Sequence, residues 1–289
     1  MTLHFRESIE ELVRARTSWR AYEPWILTSG DLAELEKSLA SLPPPPFGSA
    51  LRHVVVPARS DDGTTLRGLH TYGFISNAAG FVVGVLGEDA YGLEDFGYVT
   101  ECFVLHCTDR GLGTCWLGGT FDRSSFSRRA DVHDHEQIPA VVAFGKPTAL
   151  RGMRDRLIRL GAGSHKRKPL EELVCCSGKG GTGALSTLSP ELQTALEAGR
   201  LAPSASNKQP WRFLVDGPEV HLYLHRDERY RGLGKTLGLV DLQRLDLGIV
   251  MAHLDLVLTA RGHTCTWVVE ADPPSFPGDL AEYRCTLIY

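Results

Sequence analysis

The chain of 289 residues lacks an excess of positive charge, because 31 lysines and arginines face 35 aspartates and glutamates, for a formal net charge of −4. Without a broad positive field, we expect no binding to nucleic acid or to an anionic membrane. Apolar runs of the roughly 18 residues that span a bilayer are also absent. The opening MTLHFRESIEELVRAR has no apolar centre of the kind that secretion signals carry. These absences predict a soluble, cytoplasmic protein.

Cysteine spacings typical of zinc or redox sites are missing too. The seven cysteines include no Cys-x-x-Cys pair, and an odd number cannot be fully paired within one chain. We interpret them as buried or incidental thiols in a reducing compartment. His133 and His135 stand two positions apart in a polar stretch, and we interpret them as surface residues. No metal site is therefore expected.

The composition that is present is globular, with 43% hydrophobic and 23% charged residues, enough for one large domain or two small ones. Periodicity, caps and prolines predict helices over 7–16, from 31 to just before Pro43, over 93–110, from 190 to just before Pro203, and over 237–261. Alternation and β-branched residues predict strands over 51–56, 81–86, 114–117, 138–144, 211–215, 220–224, 264–269 and 285–288. Residues 169–176 are predicted to add a strand or a short helix. This mixture indicates an α+β fold.

The order of these predicted elements repeats along the chain. The helix and strand of 31–56 correspond to those of about 190–215. Asp95-Phe96-Gly97 and Asp246-Leu247-Gly248 lie 151 positions apart, and each is followed at the same distance by Arg-Gly. The repeat favours an internal duplication over a chance likeness of two apolar helices. We predict two intertwined halves, 1–165 and 166–289, with a linker over about 151–188.

A dense polar segment follows the helix that begins at 190. It reads Pro203-Ser204-Ala205-Ser206-Asn207-Lys208-Gln209-Pro210-Trp211, so that two prolines stiffen a run of hydroxyl, amide and ammonium groups. Such donors and acceptors suit a flat heterocycle with ring nitrogens and carbonyls. An ordinary polar loop is the alternative.

Three other groups are candidates for binding a phosphate or a ligand backbone. Arg16-Thr17-Ser18-Trp19-Arg20 offers guanidiniums and hydroxyls that suit a phosphate, although basic residues also favour helix C-termini. Lys166-Arg167-Lys168 is either a solvated charge run or a second part of such a site. The glycine-rich run from Gly111 to Gly119 permits close approach of a ligand to the backbone, or forms a tight turn.

Taken together, these groups resemble the FMN-dependent nitroreductase family, over most of the chain and in two pieces. The Arg-x-Ser-x-Arg pattern is matched by Arg16, Ser18 and Arg20. The Pro-Ser-x-x-Asn-x-Gln-Pro-Trp pattern is matched over 203–211, which is the most specific part. Gly-Leu-Gly followed by Trp-x-Gly is matched over 111–118, and a basic Arg-Lys-Pro-Leu-Glu-Glu is matched over 167–172.

The resemblance implies a nitroreductase-like α+β fold with mixed sheets flanked by helices. The family forms homodimers with flavin sites at the subunit interface, so two fused, diverged copies imply an intramolecular pseudo-dimer that functions as a monomer. The reciprocal site is expected to be lost, because residues 43–48 read Pro-Pro-Pro-Pro-Phe-Gly and residues 180–183 read Gly-Gly-Thr-Gly. The resemblance therefore implies one FMN per chain.

Roles for individual residues follow from the same resemblance. Arg16, Ser18 and Arg167 would hold the FMN phosphate, with Lys166 or Lys168, and Arg20 would lie near N1 and O2 of the ring. Asn207 and Gln209 would face ring or ribityl atoms, and backbone N–H groups near Gly118 and Gly119 would reach N5. The expected cofactor-binding set also includes Thr17, Pro203, Ser204 and Ala205, and no side chain is assigned a certain catalytic role.

The implied activity is an NAD(P)H-dependent flavin oxidoreductase. NADH or NADPH would reduce FMN and leave, and a nitroaromatic, quinone or similar small acceptor would then take the electrons in a ping-pong cycle. Three alternatives stay open: a flavin-binding protein without turnover, another flavin chemistry on the same scaffold, and nucleotide triphosphate binding at the glycine-rich loop 178–183. The last lacks the Lys-Ser/Thr that normally follows such glycines.

Overall fold

The computed structural model describes residues 4–59, 71–149, 166–177, 185–229, 232, 239–277 and 281–289. The chain divides into two compact units, Met1–Gly92 with Val99–Ala162, and Leu93–Tyr98 with Gly163–Tyr289. Three predicted features fall outside the described residues: the glycine-rich loop 178–183, most of the linker, and the helix start at 237. Within the described ranges, no helix combines the length and apolarity that a bilayer crossing demands.

The first unit contains a four-stranded sheet with helices. Its strands are β1 (Leu51–Pro57), β2 (Gly80–Leu86), β3 (Gly113–Leu117) and β4 (Val141–Gly145), in the order β1-β2-β4-β3 with antiparallel pairing. Its helices are α1 (Ile9–Ala15), α2 (Ser29–Ala40), most of α3 (Gly92–Asp109), and α4 (Arg123–Arg129). Every residue of β2 is buried, as expected for a central strand.

Local capping explains where the first helices begin and end. Ser8 and Glu11 form a reciprocal capping box at α1, and Thr28 and Asp31 form another at α2. α2 ends at Ala40, ahead of the prolines that begin at Pro43, since proline cannot continue a helix. α4 was not predicted, because Phe126 is its single apolar residue and one position shows no helical period, although Asp122 caps its start.

The second unit contains a five-stranded mixed sheet. Its strands are β5 (Val174–Cys176), β6 (Trp211–Asp216), β7 (Glu219–His225), β8 (Thr266–Val268) and β9 (Ala281–Ile288), in the order β5-β6-β7-β9-β8. β5 pairs with β6 in parallel and the other pairs are antiparallel. Its helices are α5 (Leu170–Leu173), α6 (Pro190–Leu201) and α7 (Leu242–Ala260).

Several predicted bounds need correction. Residues 239 and 240 are not helical, and α7 begins at Leu242 after Asp241. The predicted helix start at 237 was therefore too early in the chain. The strand predicted over 264–269 is limited to Thr266–Val268, and the one predicted over 285–288 begins earlier, at Ala281. The bounds of β8 are set by its pairing with β9, and the start of β9 by its pairing with β7, which short-range sequence patterns do not reveal. Residues 169–176 form a helical turn and then a strand, so both predicted alternatives occur.

The repeated Asp-x-Gly positions meet within the second unit. A Cβ atom on Gly97 would overlap the carbonyl oxygen of Leu245, and one on Gly248 would overlap the carbonyl oxygen of Glu94. Gly97 and Gly248 are 151 positions apart, and so are Glu94 and Leu245. Such a reciprocal contact is what two copies of one motif make around a twofold axis.

Candidate functional site

In the first unit, the segment 16–20 follows α1 and lies along β3. Arg16 is the C-cap residue of α1, Ser18 forms an isolated parallel bridge with Thr114, and Trp19 N–H donates to the Thr114 carbonyl at 2.8 Å. The Trp19 ring covers Gly113, where a Cβ atom would lie 2.8 Å from the indole. The helix end thereby places Arg16, Thr17, Ser18 and Arg20 beside the strand that leads to Gly118 and Gly119.

The guanidinium of Arg16 is buried, with 7% of its side chain exposed. Its Nε atom lies 3.8 Å from Oε1 of the fully buried Glu101, and the Trp116 indole N–H donates to Oε2 of Glu101 at 2.8 Å. Burial lowers the pKa of Arg16, and the Glu101 carboxylate partly opposes that shift. Among the described residues, Nε of Arg16 has no hydrogen-bond acceptor. A buried cation with an unsatisfied donor is the local chemistry of an anion site.

The glycines of the run 111–119 have different structural roles. Gly111 adopts a φ of 71° in the turn after α3, and Gly113 admits the Trp19 ring, so these two serve the fold. Gly118 and Gly119 follow β3 and are half-buried and exposed. The Gly118 carbonyl accepts a hydrogen bond from Arg123 at 3.2 Å, and the Arg123 guanidinium lies over the Phe121 ring. Arg123 was missed because α4 was missed.

In the second unit, the segment 203–209 has a strained backbone. Ser206, Asn207 and Gln209 have φ values of 51°, 54° and 50°, a left-handed region that costs non-glycine residues free energy. Three such residues within four positions persist only where surrounding contacts hold them, and such strain concentrates at functional sites.

Those contacts come from residues 166–168. Arg167 donates to Oδ1 of Asn207 and to the Leu201 carbonyl at 3.2 Å, and Asn207 Nδ2 donates to the Lys166 carbonyl at 2.7 Å. Gln209 is 3% exposed. Its Oε1 accepts from Lys168 N–H at 2.8 Å. The structure therefore joins the two basic and polar segments that the sequence suggested separately.

The Gln209 amide is used within the chain on both sides. Besides Oε1, its Nε2 donates to the Lys166 and Asn207 carbonyls at 3.2 and 3.1 Å. Gln209 thereby positions the segment, together with Ser204, whose Oγ accepts from Gln209 N–H at 2.9 Å. Contact of Gln209 with flavin atoms stays a prediction, since an amide oxygen can accept a second hydrogen bond.

Asp246 anchors the other side of this segment. Both of its carboxylate oxygens accept from Ala205 N–H, at 2.9 and 3.1 Å. Burial raises the pKa of Asp246 well above its ordinary value, and the Ala205 hydrogen bonds oppose that shift only in part. In the sequence, the repeated Asp-x-Gly motif is what singles out Asp246. That its partner would be the segment containing Ala205 could not be predicted from the sequence.

A cavity of about 540 Å³ lies beside the prolines that follow α2. Pro43, Pro44 and Pro45 line it with the end of α2 and with β1. The basic residue of its lining, Arg52, is held by Glu136 at 2.7 Å and by two backbone carbonyls. The lining of this cavity therefore differs in chemistry from the residues of segments 166–168 and 203–209.

Comparison with known proteins assigns the class. The family model described as "Putative TM nitroreductase" matches residues 8–258. The chain therefore belongs to this nitroreductase family, and its α+β fold is nitroreductase-like. None of the curated proteins compared with the chain matches it.

One solved structure, matched over the whole chain, agrees with that fold. A protein of Thermotoga maritima described as a "putative nitroreductase" is 19% identical, with a TM-score of 0.62 over 100% of this chain and 96% of its own. A nitroreductase with bound FMN from Bacteroides fragilis is 21% identical, with a TM-score of 0.39 over 50% of this chain and 92% of its own. An FMN-dependent nitroreductase from Clostridium difficile is 16% identical, with a TM-score of 0.39 and the same coverages.

Proposed function

We propose that this chain is an FMN-dependent oxidoreductase that takes hydride from NADH or NADPH and delivers it to a nitroaromatic, a quinone or a similar small acceptor in a ping-pong cycle. Bound FMN would supply the chemistry of accepting and releasing hydride. The protein's residues would bind and orient it. Family membership supports the class of activity, and the local geometry of two segments supports the residues.

The observation that carries the proposal is the Arg16 guanidinium. Its Nε is buried without a hydrogen-bond acceptor among the described residues, and Ser18 follows two positions later beside β3. A phosphate oxygen is the partner that arginine binds best, through charge-assisted hydrogen bonds. The donors present therefore fit the phosphate of FMN, with Glu101 balancing the charge of Arg16 from the protein side.

The second segment would bind the remainder of the cofactor. We assign Pro203, Ser204, Ala205, Lys166 and Arg167 to the binding surface. Asn207 and Gln209 belong to the proposed surface as well, and they also hold the strained backbone to residues 166–168. Strained backbone maintained at such a cost favours a binding role over an ordinary loop.

In the first unit, Arg20, Thr17, Gly118 and Gly119 complete the proposed set. By resemblance, Arg20 would place a cation near N1 and O2, where reduced flavin carries negative charge. Exposed or half-buried backbone at Gly118 and Gly119 leaves room for a ligand to approach.

We further propose one FMN per chain. The proline-lined cavity of the first unit offers no equivalent of the Asn207 and Gln209 amides among its described lining residues, and Arg52 in its wall is already engaged. A second flavin would therefore lack its polar partners there.

The test is an absorption spectrum of the purified, untagged protein before and after anaerobic addition of NADH or NADPH. We expect a flavin spectrum at one FMN per chain, which bleaches with one or both donors. Arg16→Ala should weaken FMN binding by at least about tenfold, since hydrogen bonds to charged groups contribute about 1.5–3 kcal/mol. Arg14→Ala is the matched control, because Arg14 is exposed on the same helix.

Other results would favour the alternatives. A colourless protein that binds ATP with magnesium would support a triphosphate site. Bound flavin that neither donor reduces would support storage or sensing. Two flavins per chain would contradict the single-site proposal, and equal effects of the two arginine variants would contradict the role of Arg16.

A further inference from the structure

One face of the β7–β9 part of the second sheet is covered by residues 269–277, here called the strap. The Tyr223 hydroxyl donates to the Pro274 carbonyl, and the rings of Tyr223 and Phe276 lie 5.3 Å apart. The Glu270 N–H donates to the Tyr283 hydroxyl at 3.0 Å. These contacts fix the strap against the sheet and bring the Glu270 side chain to β7.

His221 lies beneath the strap with 2% of its side chain exposed. Its Nδ1 atom lies 3.2 Å from Oε1 of Glu270 and 2.8 Å from the Thr286 hydroxyl. Its Nε2 atom lies 3.6 Å from Oε2 of Glu219. One imidazole is thus flanked by carboxylates on both ring nitrogens.

The charges of this cluster are not balanced by any other cation of the described residues. The ion pairs of Glu219 and Glu270 there are both with His221, and no lysine or arginine pairs with either. Within the same ranges, Oε1 of Glu270 is buried and has no hydrogen-bond partner. Within those ranges the two carboxylates share His221 as their ion-pair partner, so a cation bound between them would add a favourable interaction.

We propose that Glu219, His221 and Glu270 bind one divalent transition-metal ion of the zinc class. One ligand atom from each residue lies within 4.8 Å of the other two. Zinc–nitrogen and zinc–oxygen bonds of about 2.0–2.2 Å place neighbouring tetrahedral ligands roughly 3.3–3.6 Å apart. One ion binds only one ring nitrogen, and the 3.6 Å between Nε2 of His221 and Oε2 of Glu219 fits that spacing, while Nδ1 keeps its hydrogen bond to Thr286. Imidazole with carboxylates is a ligand set that zinc favours.

The surroundings of the cluster suit such a site. The Thr286 hydroxyl bonds to Nδ1 of His221 and to the Tyr283 hydroxyl at 2.8 Å, so the ring is oriented by a second set of groups, as metal-binding histidines usually are. The side chains of Glu219 and Glu270 are 40% and 28% exposed, so an ion can enter from solvent and keep a water ligand. The ion would fasten the strap to β7.

The test uses the untagged full chain, with its cofactor as purified, after removal of metals with EDTA. Titration calorimetry with ZnCl2 should give one ion per chain, and the same zinc should raise the melting temperature. His221→Gln should weaken zinc binding by at least about tenfold and abolish the shift, because loss of a direct ligand exceeds the 10–100-fold effect of losing a supporting group. Glu270→Gln, on a partly exposed side chain that will not disrupt folding, should also weaken binding by at least about tenfold.

His263→Gln is the matched control, since it removes a histidine of the same unit that lies against Tyr289 and outside the cluster. It should bind zinc as the unaltered protein does. A protein that takes up no zinc would overturn the proposal. Zinc binding that survives both His221→Gln and Glu270→Gln would overturn it equally.

Discussion

Gly97 and Gly248 lie against each other, so closely that a Cβ atom added to Gly97 would stand only 3.0 Å from the Gly248 Cα. They are the equivalent glycines of the repeated motif, 151 positions apart. Their close approach brings the backbone of α7 against residues 94–98 of α3. A side chain at either position would prevent this contact, which explains why both positions are glycine. The contact is reciprocal, which supports the origin of the chain in two copies of one ancestral unit.

We predict that Gly97→Ala will destabilise the protein. The added methyl overlaps the Leu245 carbonyl, and backbone cannot move aside as a flexible side chain can, so a loss of about 3 kcal/mol or more is expected. Thermal and urea unfolding measure it. Gly30→Ala is the control, because its Cβ meets only the Thr28 hydroxyl at 3.6 Å and should stabilise α2 by about 0.5–1 kcal/mol. Equal behaviour of both variants would contradict the tight crossing.

Glu101→Gln should lower the free energy of unfolding and strengthen cofactor binding. Loss of the carboxylate leaves Arg16 as an uncompensated buried cation, so the protein without flavin should lose up to about 3 kcal/mol of unfolding free energy. The same change should strengthen phosphate binding at Arg16, so FMN should raise the melting temperature of this variant more than that of the unaltered protein. Glu88→Gln, on an exposed residue, should change neither quantity. Weaker FMN binding in Glu101→Gln would contradict the proposed role of Arg16.

Because the turn at Ser206 is strained, we predict that removing its side chain will not destabilise the protein, whereas a larger side chain will. Ser206 is exposed with a φ of 51°. Ser206→Gly should be neutral or stabilise by up to about 1 kcal/mol, since glycine adopts this region without steric cost. Ser206→Val should destabilise by about 1–2 kcal/mol, because a β-branched side chain is poorly tolerated at positive φ. Chemical unfolding of both variants checks the order, and a Val variant as stable as the Gly variant would contradict the backbone conformation.

Asp246 predicts a pH dependence of stability. Burial raises its pKa in the folded chain, so above the unfolded value near 4 the folded chain retains a proton that the unfolded chain has lost. This contribution is present at low pH and is lost as the pH rises through the folded pKa. Asp246→Asn mimics the neutral acid, so we expect a flatter profile from about pH 4 upward and no loss of stability at neutral pH. Unfolding measured across that range tests it, with the exposed Asp272→Asn as the variant that should leave the profile unchanged.

Much of the fold was predictable because its signals are local. The capping box of Thr28 and Asp31, the N-cap Ser189 with Pro190, and the turn at Gly217 each act within a few positions, and the elements beside them lie close to the predicted bounds. The errors fall where local signals fail: α4 has a single apolar residue, and the ends of β8 and β9 depend on a partner strand.

The candidate site was only partly accessible in the same way. The sequence pointed to Arg16, Arg167, Asn207 and Gln209 as residue types suited to a charged, flat ligand. It did not reveal that the Gln209 amide is hydrogen-bonded to the backbone of residues 166–168. Those hydrogen bonds depend on a sheet in which β5 and β6 lie in parallel register.

The sequence alone determined most of the order of helices and strands, the repeat of 151 residues and the resemblance to a flavin-dependent family, because these depend on periodicity, caps and motif spacing along the chain. Only the tertiary structure decided that Glu101 faces Arg16, that Asp246 holds Ala205 and that His221 lies between Glu219 and Glu270. The physical reason is that strand register and helix crossing set which distant side chains share a buried, weakly screened environment, where charge and hydrogen bonding must be balanced.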